Sequence, residues 1–163
     1  ILLQHEIFID ILTIAANFVL RALAGAVVIG VWISPWLIVG TFFLALFLAA
    51  GKRKSEKIFL KKEATAHRPL LQHYSHEILD FLLQVSTTAL VLSYALYSFL
   101  GNNQFLVLTL PFALYVIMRY VYLINAGAFE TRMMSRIFRD KRMMAGMMLY
   151  GITSFVILYW RST

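Results

Sequence analysis

The stretch ISPWLIVGTFFLALFLAAGKRK, residues 33–54, decides the fold class of this chain. Residues 33–51 carry no charged side chain, and Lys52, Arg53 and Lys54 follow at once. A helix needs about 20 consecutive apolar residues to cross the hydrocarbon core of a bilayer. Basic residues gather where such a helix leaves the cytoplasmic face. The stretch therefore predicts a transmembrane helix over 33–51 whose C-terminal end meets the cytoplasm.

Working outward, the same pattern recurs at 7–30, 77–101, 105–124 and 143–160. The run 7–30 includes Asp10, Asn17 and Arg21. It still counts as a span, because an irregular polar segment would leave backbone groups unsatisfied in lipid. The whole chain is 61% hydrophobic with a mean hydropathy of +0.76, against about 45–50% apolar residues in soluble domains. It has more apolar side chains than a globule of 163 residues could bury. The fold expected is all-α: one polytopic helical bundle over residues 1–163, with five spans.

Charge orients these spans. The connections 31–35 and 101–104 contain no Lys or Arg. Residues 52–76 hold Lys52, Arg53, Lys54, Lys57, Lys61, Lys62 and Arg68, and residues 126–142 hold Arg132, Arg136, Arg139, Lys141 and Arg142. Five spans put both basic loops on the side of the N-terminus, which the positive-inside rule makes cytoplasmic. Trp32, Trp36 and Trp160 fall at the opposite interface, where amphipathic rings concentrate. The orientation expected is N-in, C-out. Topology already explains the net charge of +7, so the basic balance is no argument for nucleic acid. The absence of cysteine excludes a disulfide framework and a thiol nucleophile. No small-residue cleavage site follows the first apolar run, so no signal peptide is expected. Position 1 is Ile, not Met, and the sequence reads as the continuation of a longer one.

Polar residues within the spans fall into stripes at helical spacing. Asp10, Thr13, Asn17 and Arg21 share one face of the first span, continued by Ala24 and Gly25. Asp80, Gln84, Thr87 and Tyr94 share a face of the third span, and Tyr115, Arg119 and Tyr122 a face of the fourth. Ionisable groups at membrane depth cost at least about 2.5–3.5 kcal/mol each near the centre. The stripes are therefore expected to face one another or water. Asp80 and Arg119 lie close enough to helix ends to snorkel, and Arg21 has Asp10, Asp80 or an outward path as alternatives. The second span, uncharged before Lys52, is expected to be the most lipid-exposed. Pro111 is expected to kink the fourth span. The methionines between 133 and 148 read as helix contacts rather than metal ligands.

If helical geometry continues past Gly51, Lys52 and Glu56 share a face with Arg53 beside them. Cations with one carboxylate at a helix end suit a phosphate and its Mg²⁺. The same residues also serve simply to fix topology and attract anionic lipid. His67, Arg68, His73 and His76 show no metal-ligand spacing. Neither a nucleophile elbow, a Walker loop, a zinc pattern nor a dinucleotide fingerprint is present.

The order of motifs carries a resemblance. Phe18-Val19-Leu20-Arg21-Ala22-Leu23-Ala24-Gly25 resembles a helix of the UbiA-type membrane prenyltransferases. Ser34-Pro35-Trp36, Gly51-Lys52-Arg53 with Glu56, and Arg68-Pro69 with Leu71, Tyr74 and Ser75 are similar to the branch that transfers phosphoribosyl groups to decaprenyl phosphate. So are Ser93-Tyr94-Ala95-Leu96-Tyr97, Pro111-Phe112 with Leu114, Tyr115, Arg119 and Tyr120, and Asp140-Lys141. The resemblance covers nearly the whole chain. It implies the last five helices of a nine-helix fold around a cavity open to the cytoplasm. It also implies transfer of a 5-phosphoribosyl group from phosphoribosyl pyrophosphate to a polyprenyl phosphate, with Mg²⁺ as cofactor. Carried over by position, Lys52, Arg53, Arg68, Tyr74 and Arg119 are the expected phosphate and substrate ligands, and Glu56 and Asp140 the expected metal ligands. The family's first aspartate-rich motif has no counterpart in this chain, which by itself is expected to be inactive. Partners implied are membrane lipid, both substrates, and the absent helices or partner membrane subunits.

Two other functions remain open at this level. One is prenyl transfer to an aromatic acceptor, against which Gly51-Lys52-Arg53 stands in place of an aspartate-rich motif. The other is a non-catalytic membrane subunit of a larger complex.

Overall fold

The computed structural model describes residues 7–62, 75–101, 104–126 and 140–160, with no strand among them. In chain order these form α1 (Ile7–Ile29), α2 (Pro35–Lys62), α3 (His76–Leu100), a 3-10 segment (Gln104–Thr109) that runs directly into α4 (Leu110–Asn125), and α5 (Lys141–Trp160). Five helical segments are long and apolar enough to cross a membrane, the 3-10 segment and α4 together making the fourth. Val27, Val28, Trp32, Phe99, Leu100 and Phe155 are all more than 60% exposed. Apolar surface of that extent is what a lipid solvent allows.

Local chemistry sets the helix ends. Gly30 has φ +66°, and the amides of Gly30 and Val31 donate to the carbonyls of Val27 and Ala26 at 3.2 and 3.0 Å. This is the Schellman arrangement, in which glycine occupies the left-handed position without a Cβ clash. Pro35 opens α2 where its missing N–H costs nothing. Ser75 caps α3, its Oγ accepting from the Ile78 amide at 3.0 Å. Pro111 does not kink a continuous helix as expected. It lies in the first turn of α4, and the preceding six residues wind as 3-10 helix. Proline has no N–H to donate back into that segment, so the break falls between helix types and not within one.

Several hydroxyls inside the spans bond back to their own helices. Thr41, Ser86 and Thr153 donate to the carbonyls of Leu37, Leu82 and Leu149 at 2.6–2.8 Å. Back-bonding of this kind lets Ser and Thr sit in an apolar helix without an external partner.

Residues 1–93 and 94–163 form two compact units. In the first, α1 and α2 make a hairpin. Ile11 and Ala15 pack with Ala45, Leu46 and Ala49 of α2 and Leu79 of α3, flanked by Ile14, Phe42, Phe43 and Leu82. Alanines at the contact let the backbones approach closely. The expectation that the second span would be the most lipid-exposed is reversed: it is the most buried of the five. Its small residues carry no charge because they form the contact between α1 and α3, not because they face lipid. In the second unit, the Tyr94 hydroxyl bonds to that of Thr109, and Tyr150 Oη donates to Tyr94 Oη at 3.2 Å. Thr109 also donates to the Leu106 carbonyl at 2.6 Å. That contact explains why Thr109, although the N-cap of α4, makes no side-chain cap there.

Candidate functional site

α2 continues as helix for more than two turns beyond Gly51, through Lys52-Arg53-Lys54-Ser55-Glu56-Lys57. Lys, Arg and Glu are strong helix formers, so the end of the apolar run does not end the helix. Successive residues on it point about 100° apart, which sends three adjacent cations in three directions. Lys52 is exposed and forms no ion pair among the described residues. Arg53 turns toward α1, where its Nη2 donates to Asp10 Oδ2 at 2.6 Å. Its Nη1 also reaches Glu56 Oε2 at 3.4 Å, one turn along α2. Lys54 turns toward α3 and pairs with Asp80.

The side chains of Arg53, Asp10 and Glu56 are 21%, 22% and 13% exposed, so this triad is half-sheltered yet reachable from water. Two carboxylates around one guanidinium leave it net negative, and Lys52, the preceding residue, is exposed on another face of α2. Lys54 is only 5% exposed. Sequence reasoning assigned Lys54 to topology, and its burial against Asp80 gives it a structural task instead. Asp10 and Asp80 were visible as members of polar stripes, but not their partners. A contact across 43 or 26 residues leaves no local spacing signal. Neither acid pairs with Arg21, which is exposed along with Thr13 and Asn17. The stripe of α1 is thus split: Asp10 turns to α2, and the rest stays on the surface of the described residues.

In the second unit, Arg119 of α4 and Asp140, the residue before α5, form a two-point pair. Nη2 donates to Oδ2 at 2.7 Å and Nε to Oδ1 at 3.4 Å. Asp140 is also the N-cap of α5, accepting from the Met143 amide at 2.7 Å. The Arg119 guanidinium, followed by that amide, holds the Asp140 carboxyl below its ordinary range. The guanidinium lies 5.1 Å from the centre of the Tyr122 ring, within cation–π range. The Arg142 amide is also directed at this carboxyl, so the two Arg119 contacts and the two amides take up the roughly four lone-pair positions of a carboxylate.

Of the residues expected from sequence, Arg53 and Glu56 come together, as do Arg119 and Asp140; Lys52 stands apart and exposed. Arg68 and Tyr74 lie outside the described residues. No group of three or more His, Cys, Asp or Glu side chains suited to a metal occurs among the described residues. The donors beside Arg53 are hard carboxylate oxygens, and they fit Mg²⁺, which usually takes one or two carboxylates and completes its shell with water and phosphate oxygens. An apolar groove of about 470 Å³ between α1 and α2, lined by Ala16, Val19, Leu20, Ile38, Val39, Phe42 and Phe43, has no polar group for a phosphate.

No protein-family model matches the chain. Curated relatives do. Over 129 residues, 77% of this chain and 42% of the relative, it is 31% identical to a decaprenyl-phosphate phosphoribosyltransferase of Mycobacterium tuberculosis. It is 36% identical over 96 residues to the protein of the same name in Corynebacterium glutamicum, covering 59% of this chain and 29% of that one. The Mycolicibacterium smegmatis protein is 34% identical over 97 residues, or 60% of this chain and 30% of that protein. The chain thus spans less than half the length of the curated relatives it matches. It is a homologue of the UbiA-type decaprenyl-phosphate phosphoribosyltransferases over that part of their length.

Proposed function

We propose that this chain is part of a membrane transferase that moves a 5-phosphoribosyl group from phosphoribosyl pyrophosphate to a polyprenyl phosphate. The observation that carries the proposal is the Arg53 cluster, a guanidinium held between two carboxylates and preceded in sequence by exposed Lys52, in a chain whose relatives are phosphoribosyltransferases. In the reaction, a lipid phosphate oxygen forms a bond to the anomeric carbon while the bond from that carbon to pyrophosphate breaks. The demand on the protein is to place cations against phosphate oxygens, not to supply a strong base. Lys52 and Arg53 take phosphate oxygens of the donor, and Glu56 accepts the metal or holds Arg53. Arg68 and Tyr74 contribute further phosphate contacts, and Arg119 with Asp140 a second basic–acidic pair. Glu56 would hold Mg²⁺ there, and the ion would supply positive charge against pyrophosphate oxygens. The basic loops 52–76 and 126–142 face the cytoplasm, where a water-soluble sugar phosphate can meet a lipid phosphate at the membrane surface.

The test is an assay of the protein produced from its complete gene, with labelled phosphoribosyl pyrophosphate and polyprenyl phosphate. Lys52→Ala and Glu56→Ala are each expected to lower transfer about 10²-fold or more, the usual cost of one positioned charge group. Full activity in both variants sinks the site assignment. Prenylated aromatic product, with no phosphoribosyl transfer, replaces the reaction itself.

A further inference from the structure

Arg53 receives two carboxylates, and they are not equivalent. Glu56 belongs to the same helix and approaches only to 3.4 Å. Asp10 comes from α1 and approaches to 2.6 Å, the short distance of a charge-assisted bond. An arginine side chain carries about 2 kcal/mol of rotamer entropy, so a strong partner on one side determines where its guanidinium rests. With Asp10 removed, the guanidinium loses its hold from α1, while Glu56 stays with it on α2.

The hairpin itself does not depend on Asp10. Ile11 and Ala15, the next positions of α1 along that side, pack with Ala45, Leu46 and Ala49. Lys54, bound to Asp80 on α3, fixes the rotation of α2 from its other flank. Two restraints independent of Asp10 thus hold the helices that carry the triad. A carboxylate kept in a mostly apolar helix costs solvation free energy, which its bond to Arg53 offsets here.

We infer that Asp10 is a positioning residue of the phosphate site, orienting the Arg53 guanidinium toward the donor's pyrophosphate. The inference rests on the reaction proposed above for its ligand, but its test does not. The probe is inorganic pyrophosphate with Mg²⁺, titrated calorimetrically into the protein produced from its complete gene and purified in detergent. Asp10→Asn, close in shape and uncharged, is expected to weaken pyrophosphate binding about tenfold, the equivalent of about 1.4 kcal/mol, with little change in thermal midpoint. Asp10→Glu is expected to recover most of the affinity. The double exchange of Asp10→Arg with Arg53→Asp rebuilds the ion pair but moves the cation to α1. Thermal stability should stay near that of the wild type, and pyrophosphate affinity should be lost.

Wild-type affinity in Asp10→Asn overturns the inference, as does recovery of affinity in the double exchange, because either result makes the pair purely structural. If Asp10→Asn does not accumulate, the double exchange decides by itself. A wild-type protein that binds no pyrophosphate overturns the inference too. Asp10-dependent pyrophosphate binding in a protein without phosphoribosyl transfer would remove the proposed reaction and leave this role of Asp10 standing.

Discussion

Asp140 shows how one carboxylate can serve two elements. It caps α5 through the Met143 amide and pairs with Arg119 of α4. Both contacts favour the ionised form, and its pKa is accordingly lowered in the folded protein. The resulting stability is fully present above the unfolded value of about 3.9 and fades as pH falls through the lower folded value. Asp140→Asn keeps a good N-cap and removes the charge. The difference in thermal midpoint between wild type and Asp140→Asn should be constant above about pH 5 and shrink below about pH 4. A difference that persists unchanged at pH 3 would show that the charge contributes nothing. At this scale the sequence marked Asp140 by motif, and Arg119 by motif and by its place in the Tyr115–Arg119–Tyr122 stripe. Their pairing needs α4 to deliver one and the start of α5 the other.

At the scale of elements, α4 and α5 meet through Gly146. A Cβ placed there would lie 2.7 Å from Tyr115 Cδ1 and 3.2 Å from Val116 Cγ2. Close helix contacts in membranes select small residues for this reason. Gly146→Ala gains about 1 kcal/mol of helix propensity, which offsets the displacement of the half-exposed Tyr115 ring. Gly146→Leu has no such escape and should destabilise by about 1–3 kcal/mol, the usual cost of overpacking. Adding Tyr115→Ala should return much of that loss, as a double-mutant cycle on thermal or denaturant unfolding would measure. Additive effects of the two substitutions would mean that the ring is not what the new side chain meets. Composition could not have located this contact: Gly25 and Gly151 lie in the same kind of apolar helix, and no atom lies within 4 Å of a Cβ there.

At the scale of the whole molecule, the charge map makes a claim that labelling can check. The chain has no cysteine, so single cysteines can be introduced without background. Lys52→Cys, at an exposed position, and Arg136→Cys should react with an impermeant maleimide only after the cytoplasmic side is opened, and Asn102→Cys from outside. Labelling of Lys52→Cys in intact cells would reverse the proposed orientation and with it the cytoplasmic access of the phosphate site.

The sequence by itself determined that this chain carries five apolar stretches long enough to span a membrane, because length and hydropathy are local properties and lipid leaves the backbone only the helix. It also determined the composition of the basic loops and, through motif order, the relatives to look for. What only the tertiary structure decided is partnership. Lys52, Arg53 and Lys54 are adjacent in sequence, yet one is exposed, one is held by α1 and one is buried against α3. The same packing made the uncharged second span the most buried one. Apolar residues that face lipid and apolar residues that face another helix look alike in a chain whose solvent is itself hydrocarbon. The stretch 33–54 predicted a span ending in cations. The acids of α1 and α3, brought from 43 and 26 residues away, decided what each of two of those cations does.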